Sequence, residues 1–416
     1  MNNKEKKMTP EVRFSGFNDD WELCKFEDSF NFPVSTNSLS RAMLNYDRGE
    51  VKSVHYGDVL IKYPAILNVK TAQIPFINNG TRENFKSNLL KNGDLIFADA
   101  AEDESVGKAV EVNALTDEYL VSGLHTIVAR PKGKMAEFFL GYYINSEIYH
   151  RQLLRLMQGT KVSAISKKNL LETEVSFPTR IEEQEKIGNF FKQLDDIIAL
   201  HQDKLTQLKK LKDAFLQQMF PTGYEKSPRL RFGNFEKDWE NCKLGKMLQE
   251  FSVKSKVENE YNVLSSTNNG MELREGRVSG ASNIGYKIVE NGDLVLSPQN
   301  LWLGNININN IGRGLVSPSY KTFKFIKVES NFINPQLRTA KMLEEYKNAS
   351  TQGASVVRRN LEIDSFYQIP LRIPVRVEQD KIGLFFSNFD QYIDLHQKKL
   401  DTLKATKKAF LQKMFI

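Results

Sequence analysis

The sequence predicts an α+β protein with two domains related by a pseudo-twofold axis, each followed by a long helix, and with the two helices paired as an antiparallel coiled coil. Three observations lead to this fold class. The chain contains one internal repeat, each copy of the repeat ends in a heptad pattern, and the middle of each copy alternates short β-type runs with turn residues.

The two copies of the repeat agree at their edges. PEVRFSGFNDDWELCK at 10–25 matches PRLRFGNFEKDWENCK at 228–243, with nine of sixteen positions identical. LHQDKLTQLKKLKDAFLQQMF at 200–220 matches LHQKKLDTLKATKKAFLQKMF at 395–415, with fourteen of twenty-one identical. Because the middles barely align while the edges agree, the pattern indicates one scaffold that carries two different binding surfaces.

Each back edge predicts a long helix, since apolar residues recur every seven positions. Ile197 and Leu211 widen the stripe of the first helix, and Pro221 predicts its end near residue 220. A lone amphipathic helix must bury its stripe, so the two stripes are expected to pack on each other. The predicted seam consists of Leu194, Ile198, His201, Leu205, Leu208, Phe215, Phe389, Ile393, His396, Leu400, Leu403 and Phe410.

The two seam histidines have two interpretations. His201 and His396 are expected to be partly buried, hydrogen-bonded residues of the seam, because each lies near the middle of its predicted helix. A pH-sensing or metal-binding role is the alternative.

The middles of the two copies predict α+β domains. Strands are expected at DVLIKY (58–63), DLIFA (94–98), HTIVARP (125–131), DLVLS (293–297) and KTFKFIKV (321–328), and helices near 136–157 and 338–349. The predicted segments are a first domain at 1–178, a first helix at 179–220, a linker at 221–227, a second domain at 228–374 and a second helix at 375–416.

Composition narrows the class of protein. The chain has 416 residues, of which 40% are hydrophobic and 26% are charged, and it has no apolar run long enough to span a bilayer. Two cysteines exclude a disulfide framework, and the polar start MNNKEKKMTPEVRF predicts no secretory signal. We therefore expect a cytoplasmic location without membrane contact. The formal net charge of +7 permits a nucleic-acid partner without requiring one.

The sequence predicts no catalytic or metal centre. Gly107 and Lys108 lack the first glycine and the Ser/Thr of a phosphate-binding loop. An adenine methyltransferase would need an Asn/Asp-Pro-Pro-aromatic tetrapeptide to hold the target amine, and the nearest stretch, SPQN at 297–300, does not match it. Histidines and cysteines are not spaced for zinc, and Cys24 and Cys242 are expected to be packing residues.

Both middles instead carry residue types that bind DNA: Arg reads guanine edges, Asn reads adenine and Lys neutralises phosphate. Any exposed loop contains these types, so only their concentration in two parallel domains favours DNA. The candidates of the first domain are Asn37, Ser38, Ser40, Arg41, Arg82, Lys86, Lys161, Lys167 and Lys168. Those of the second are Asn268, Asn269, Arg274, Arg277, Asn300, Asn305, Arg313, Arg358 and Arg359.

These features together resemble the specificity subunits of type I restriction–modification systems, and the resemblance covers nearly the whole chain. The second copy departs from the pattern at 352–361, where Arg359 stands in the place of Ile165. The motifs that carry the resemblance are P-x-[LV]-R-F…W-E at the opening of both copies, NSLSRAMLNYDRGEVKSVHYGDVLIKY at 37–63, QGTKVSAISKKNL at 158–170, P-x-R-[IV]-E-(E)-Q-x-K-I-G at the start of each helix and A-F-L-Q-[QK]-M-F at its finish.

The resemblance implies that the two domains are target-recognition domains, each of which binds one half of a bipartite, asymmetric double-stranded DNA target. The helices would set the spacer between the halves and dock two modification (methyltransferase) subunits. Those subunits would methylate adenine N6 with S-adenosylmethionine, and restriction (translocase/nuclease) subunits would use ATP and Mg. The chain itself would be a non-catalytic subunit that binds no cofactor.

Two other functions remain open on the sequence. A coiled-coil scaffold that binds proteins and not DNA would explain the helices but not the divergent middles, and it predicts no salt-dependent DNA binding even with its partners. A fused DNA methyltransferase would bind S-adenosylmethionine on the isolated chain.

Overall fold

The computed structural model of the chain describes residues 9–157, 163–222, 225–274, 282–353 and 359–416. The chain divides into two compact units, Met1–Gln202 with Lys398–Ile416, and Asp203–Gln397. Both units mix helices with small sheets, which confirms the predicted α+β class. Each unit contains part of each long helix. The predicted segments instead treat each long helix as one continuous segment separate from the domains, and their boundaries stay predictions.

The first unit is built from short strands and helices, with 3-10 turns at Arg41–Met43 and Lys86–Asn88. Its strands are β1 (Glu22–Lys25), β2 (Phe30–Asn31), β3 (Leu44–Asn45), β4 (Val51–Val54), β5 (Ile66–Asn68), β6 (Phe76–Ile77), β7 (Leu95–Ala98), β8 (Ala100–Ala101), β9 (Ala109–Asn113), β10 (Tyr119–Ser122), β11 (Thr126–Pro131), β12 (Ser163–Ala164) and β13 (Glu174–Phe177). Its helices are α1 (Phe26–Ser29), α2 (Tyr56–Ile61), α3 (Arg82–Phe85), α4 (Phe139–Ile144), α5 (Glu147–Leu156) and α6 (Lys167–Leu171), and the long helix α7 (Ile181–Met219) begins here.

Two sheets form the centre of the first unit, with strand orders β2-β11-β7-β9-β5 and β10-β4-β6-β3. The central strand β7 is antiparallel to β11 and to β9, and all four of its residues are buried. A strand covered on both faces reads as a continuous apolar run, which is why DLIFA predicted it correctly.

The second unit contains a four-stranded sheet of order β15-β22-β19-β20 and several two-stranded pairs. Its strands are β14 (Glu240–Lys243), β15 (Leu248–Phe251), β16 (Leu264–Ser266), β17 (Met271–Leu273), β18 (Lys287–Val289), β19 (Leu294–Leu296), β20 (Ile306–Ile308), β21 (Gly314–Val316), β22 (Lys321–Phe325), β23 (Ser350–Gln352), β24 (Arg359–Leu361) and β25 (Pro370–Ile373). Its helices are α8 (Ser330–Ile333), α9 (Ala340–Asn348), α10 (Ile363–Gln368) and the first part of the long helix α11 (Arg376–Lys413), and 3-10 turns lie at Leu244–Lys246 and Leu301–Leu303.

One predicted strand is wrong: the residues predicted as a strand at 58–63 lie largely in helix α2. In a strand Val59, Ile61 and Tyr63 would face the same side. In the structure Val59 and Tyr63 are buried, four residues apart, while Ile61 is 89% exposed. His55 caps the helix by accepting a hydrogen bond from the backbone N–H of Gly57. The other predicted strands, and the helices near 136–157 and 338–349, are confirmed.

The matched edges of the repeat form the same structure in each unit. β1 pairs antiparallel with β13, and β14 pairs antiparallel with β25. Arg13 donates to both carboxylate oxygens of Glu183 at 2.6 and 2.8 Å, and Arg231 donates to those of Glu378 at 2.6 and 2.7 Å. The carboxylates are only 1% and 0% exposed. The R-F opening of each copy therefore fastens the start of its own long helix.

Removing one of these arginines should destabilise one unit. Because Arg13→Met leaves the buried Glu183 carboxylate unpaired, we expect the free energy of unfolding of the first unit to fall by about 3–5 kcal/mol. Hydrogen exchange with mass spectrometry should locate the loss in residues 9–202. Lys25→Met, which changes an exposed lysine of β1, is the matched control. Unchanged exchange in Arg13→Met would contradict the assigned role.

The two long helices pair antiparallel within each unit. In the first unit the rings of Phe190 and Phe410 lie 5.1 Å apart, and Lys407 Nζ lies 2.5 Å from Asp195 Oδ1. In the second unit the same pattern joins α7 and α11, with 5.0 Å between the rings of Phe215 and Phe385. Every predicted seam residue is buried or half-buried, which confirms the stripe.

The stripe is narrower than predicted, because Ile197 and Leu211 are exposed. The histidines of the seam, His201 and His396, are half-buried, and each makes a contact with another group. Those contacts agree with the structural interpretation of the two residues, and a pH-sensing role stays untested. None of the described helices could cross a membrane.

The final residues of each long helix complete the core of a unit. Phe415, after the end of α11, lies 5.6 Å from the rings of Tyr143 and Phe191 and 6.4 Å from that of Trp21. Phe220, after the end of α7, lies 6.1 Å from the equivalent Trp239. The M-F finish of one copy is thus buried with the W-E opening of the other copy.

Candidate nucleic-acid interface

The four-stranded sheet of the first unit brings two of the predicted segments together. Residues 37–41 lead into β3, while Arg82 and Lys86 follow β6, which is paired with β3. The guanidinium of Arg82 lies 5.0 Å from the ring of Tyr119 on β10, an edge strand of the same sheet. Lys86 forms an ion pair with Glu83, which leaves part of its charge neutralised.

Asn37 fastens its loop to this sheet. Its side-chain amide donates to the carbonyl of Ser122 at 2.9 Å and to the hydroxyl of Ser53 at 3.2 Å. An amide used in this way is not free to read a base, so Asn37 acts chiefly as a positioning residue. Ser38 and Ser40, which follow it, are exposed.

Arg41 is oriented by an ion pair with Asp58. Its two Nη atoms donate to the Asp58 carboxylate at 2.7 and 3.0 Å, and these hydrogen bonds raise the pKa of Arg41. A guanidinium has five N–H donors, so donors remain available on a side chain that is 46% exposed. Arg41 can therefore contact a base edge while Asp58 fixes its direction.

The surface around Arg41 contains residues that sequence reasoning missed. We name Arg41, Met43, Tyr46, Ile61 and Lys62 the Tyr46 patch. Tyr46 is 53% exposed, its hydroxyl lies 3.5 Å from Arg41, and Lys62 Nζ lies 4.7 Å from its ring centroid. Exposed apolar groups beside cations suit the thymine methyl and the phosphates of a DNA groove. Ile61, the chain neighbour of Lys62, is exposed because 56–61 is a helix that buries Val59 and not Ile61.

The remaining lysines of the first unit lie elsewhere. Lys167 and Lys168 begin α6, and Lys167 Nζ lies 5.4 Å from the ring of Phe32. No described contact joins them to the Tyr46 patch. Lys161 lies outside the described residues.

In the second unit the β16–β17 hairpin presents two predicted residues. Asn268 and Asn269 are exposed at its tip, and the backbone N–H of Asn269 donates to the hydroxyl of Thr267 at 3.1 Å. Two carboxamides exposed at a hairpin tip are suited to adenine edges. Arg274 follows β17 and is half-buried. Arg277 lies outside the described residues.

Asn305 supports this hairpin from inside. It is buried, and its Oδ1 accepts a hydrogen bond from Ser266 at 2.7 Å. Asn307 donates to Ser266 at 2.8 Å and to the carbonyl of Thr267 at 2.7 Å. The carbonyl of Asn300 accepts from the backbone N–H of Asn305, which ties the half-buried Asn300 to the same network. Asn305 therefore positions the tip rather than reaching solvent.

Two of the predicted arginines of the second unit, Arg313 and Arg359, are engaged with the protein. Arg313 Nε lies 2.9 Å from Glu290. Arg359 donates to the hydroxyl and to the carbonyl of Ser350, both at 2.9 Å, so it joins β24 to β23. Arg358 lies outside the described residues.

Two features of the described residues concern metal binding and phosphate binding. Within 9–157, 163–222, 225–274, 282–353 and 359–416, no group of three or more His, Cys, Asp and Glu could hold a metal ion. Lys108, the lysine of the incomplete phosphate-loop motif, donates to the carbonyls of Leu60 and Tyr63 at 2.9 and 3.2 Å. Its ammonium group is therefore part of the fold of the first unit.

Comparison with known proteins gives one family. A family model described as the type I restriction modification DNA specificity domain matches residues 18–210 and 236–405. A protein of Methanocaldococcus jannaschii, provisionally named type I restriction enzyme MjaX specificity subunit, is 22% identical over 414 residues, with 94% of this chain and 92% of that protein covered. The type I restriction enzyme MjaVIII specificity subunit of the same organism is 26% identical over 147 residues, 35% of this chain and 34% of that protein.

Solved structures share the fold. The S subunit of a type I restriction–modification system from M. genitalium superposes with a TM-score of 0.62 at 15% identity and covers 98% of this chain and 99% of that one. A second structure, solved in work on complex assembly and conformational transition of the type I R-M system, has a TM-score of 0.50 at 15% identity and covers 95% of this chain and 97% of that one.

Proposed function

The chain belongs to the type I restriction–modification DNA specificity family, and we propose that each of its two units binds one half of a bipartite, asymmetric double-stranded DNA target. The observation that carries this proposal is the contrast between the units. Both units have the same buried ion pair at the start of a long helix, Arg13–Glu183 and Arg231–Glu378. Their exposed surfaces differ. The first unit offers the Tyr46 patch, and the second offers the asparagine tip of β16–β17.

The long helices set the spacer between the two half-sites and dock two modification subunits in this proposal. Apolar side chains stand exposed at equivalent positions of both helices, Leu200 at 68% and Leu395 at 63%, with Ile197 and Tyr392 beside them. Exposed apolar groups mark interaction surfaces, and two equivalent surfaces suit two copies of one partner. Restriction subunits join the same complex.

The chemistry belongs to the partner subunits, because the specificity family is non-catalytic. The modification subunits methylate adenine N6 with S-adenosylmethionine. The restriction subunits use ATP and Mg for translocation and cleavage in the cytoplasm. The chain itself takes no cofactor.

Binding to duplexes with one scrambled half-site tests whether each unit recognises one half of the target. In the complex with modification subunits, the double variant Arg41→Ala with Tyr46→Ala should lose discrimination between the native target and a duplex scrambled in one half. Discrimination in the other half should stay, since both substituted residues belong to the first unit. We expect a loss of about ten-fold or more, as one good base contact contributes about 1–3 kcal/mol.

The matched variant is Asn268→Ala with Asn269→Ala, which should affect the other half only. Lys25→Ala, which changes an exposed lysine of β1 outside both candidate surfaces, is the control and should leave both ratios unchanged. Binding of each duplex is measured at several salt concentrations, because phosphate contacts alone vary steeply with salt. Equal losses in both halves from either double variant would refute the assignment of one half-site to each unit.

A further inference from the structure

The second unit contains a cavity of about 950 Å³ that the proposed DNA contacts do not use. Its walls come from the last turns of α7, the start of α9 and strand β25. The polar and charged residues that matter here are Gln217, Gln336, Arg338, Lys341 and Arg372.

The side-chain nitrogen of Gln336, in the wall of this cavity, is buried without a hydrogen-bond partner in the part of the chain that the structure describes. Gln336 is 7% exposed, and its Nε2 has no acceptor among the described residues. Leaving a buried donor unsatisfied is costly, and buried polar groups are almost always paired. The cavity wall therefore offers an N–H donor that the protein itself does not satisfy.

The cavity also has an excess of positive charge. Its lining contains four cations and two carboxylates, and Lys212 pairs with Asp390. Among the described residues, Arg338, Lys341 and Arg372 form no ion pair. Arg338 is exposed and makes one long hydrogen bond, 3.4 Å to Asn307. Two net positive charges thus remain for an external anion, with Asp213 counted.

The first unit shows what occupies the equivalent place. α5 and α9 hold the same place in the two copies of the repeat, because each directly precedes the repeated Q-G pair, at 158–159 and at 352–353. Ser146 and Thr339 cap them with the same hydrogen bond to the third helical residue. The first helical residue is Glu147 in α5 and Ala340 in α9. Glu147 accepts a hydrogen bond from Gln412 at 2.6 Å.

The partner glutamine is repeated as well. Gln412 corresponds to Gln217 in the two A-F-L-Q motifs, and Gln217 lines the cavity next to Ala340. The second unit therefore keeps the glutamine but lacks the carboxylate that the first unit supplies.

We propose that the cavity of the second unit binds the carboxylate of an Asp or Glu side chain presented by a partner protein. Gln217, Gln336, Arg338 and Arg372 supply the donors, and Leu216 and Phe220 supply an apolar wall for the aliphatic stem. That the partner is a modification subunit rests on the proposed function, whereas carboxylate binding does not. Because the first unit places Glu147 against Gln412 whereas the second has Ala340 at the corresponding position, the two partner copies are held unequally in this proposal.

A carboxylate fits this cavity better than a DNA phosphate. In the first unit the group bonded to the equivalent glutamine is itself a carboxylate, that of Glu147, which also pairs with Arg151. Asp213 and Asp390 also line the cavity, and they would repel the closely spaced phosphates of a duplex. A single carboxylate on a protein segment can bind Arg338 and Arg372 without lying close to both Asp213 and Asp390.

The test uses the full chain without partners and a fluorescent eight-residue peptide that carries four glutamates, followed by fluorescence anisotropy. An otherwise identical peptide with four glutamines is the neutral probe. We expect the acidic peptide to bind and the neutral one not to bind. Arg372→Ala should weaken binding about ten-fold or more, because it removes a charge-assisted hydrogen bond. Arg376→Ala, an exposed arginine four residues away that does not line the cavity, should leave affinity unchanged.

The decisive variant is Ala340→Glu, which supplies the missing carboxylate from within the chain. A glutamate in the first turn of a helix is favourable, so the variant should fold and melt no lower than the parent protein. It should abolish peptide binding. Peptide binding that survives Ala340→Glu, no binding by the parent protein, or displacement of the peptide by random-sequence duplex DNA would each overturn the proposal. A chain that supports methylation but does not bind the peptide refutes this inference alone, and the reverse result refutes the proposed function alone.

Discussion

Replacing Phe415 by alanine is expected to lower the free energy of unfolding of the first unit by about 3–5 kcal/mol, the usual cost of removing a buried phenyl ring. The ring is 2% exposed and contacts Trp21, Phe139, Tyr143 and Phe191. These residues lie more than two hundred positions away in the chain. Phe415→Ala should therefore destabilise the core to which Trp21, Phe139 and Phe191 belong.

Hydrogen exchange with mass spectrometry measures this effect unit by unit. Protection should fall in residues 9–202 and persist in residues 225–397. Phe220→Ala is the matched variant, because Phe220 packs against Trp239, Phe332 and Phe386, and it should show the opposite distribution. Leu200→Ala, an exposed position of α7, should change neither unit. Uniform loss of protection after Phe415→Ala would contradict the assigned packing.

Lengthening both long helices by seven residues is expected to lengthen the preferred DNA spacer. One heptad keeps the seam in phase, so the helix pair should still form. Seven residues add about 10 Å at about 1.5 Å each, which corresponds to about three base pairs. At the original spacer, binding should fall by a hundred-fold or more, roughly the contribution of one half-site to the affinity.

The insertions go after Gln202 in α7 and after Gln397 in α11, where the chain passes from one unit to the other. Selection from a pool of duplexes with the same half-sites and variable spacers measures the preference. Seven residues inserted in the linker at 221–227 leave both helices unchanged, and this control should keep the original spacer. An unchanged spacer in the helix variant would remove the idea that the helices measure distance.

The regular parts of this fold could be predicted because their periods are visible in the sequence. The heptads predicted the first long helix and Pro221 predicted its end near residue 220, and the helix ends at Met219. The prediction of a strand at 58–63 was wrong. β-branched and aromatic residues favoured a strand there, whereas the cap at His55 and the burial of Val59 and Tyr63 favour a helix. Local pattern also could not show which core receives Phe415, because that depends on contacts between distant parts of the chain.

The candidate site could be predicted only by residue type. Asn37, Asn305 and Arg359 have the chemistry of base readers, yet each uses its polar atoms within the protein. Nothing in composition separates such residues from exposed Asn268 and Asn269. The Tyr46 patch was missed because Tyr46 and Ile61 look like core residues until their exposure is known.

The most direct test of the central claim is to co-express the chain with its modification subunit and to map methyladenine in the host DNA by single-molecule sequencing. The account predicts one bipartite motif with a fixed spacer and one modified adenine in each half. A soluble, verified complex that leaves no such motif would contradict DNA recognition by this chain and would favour a protein-binding scaffold.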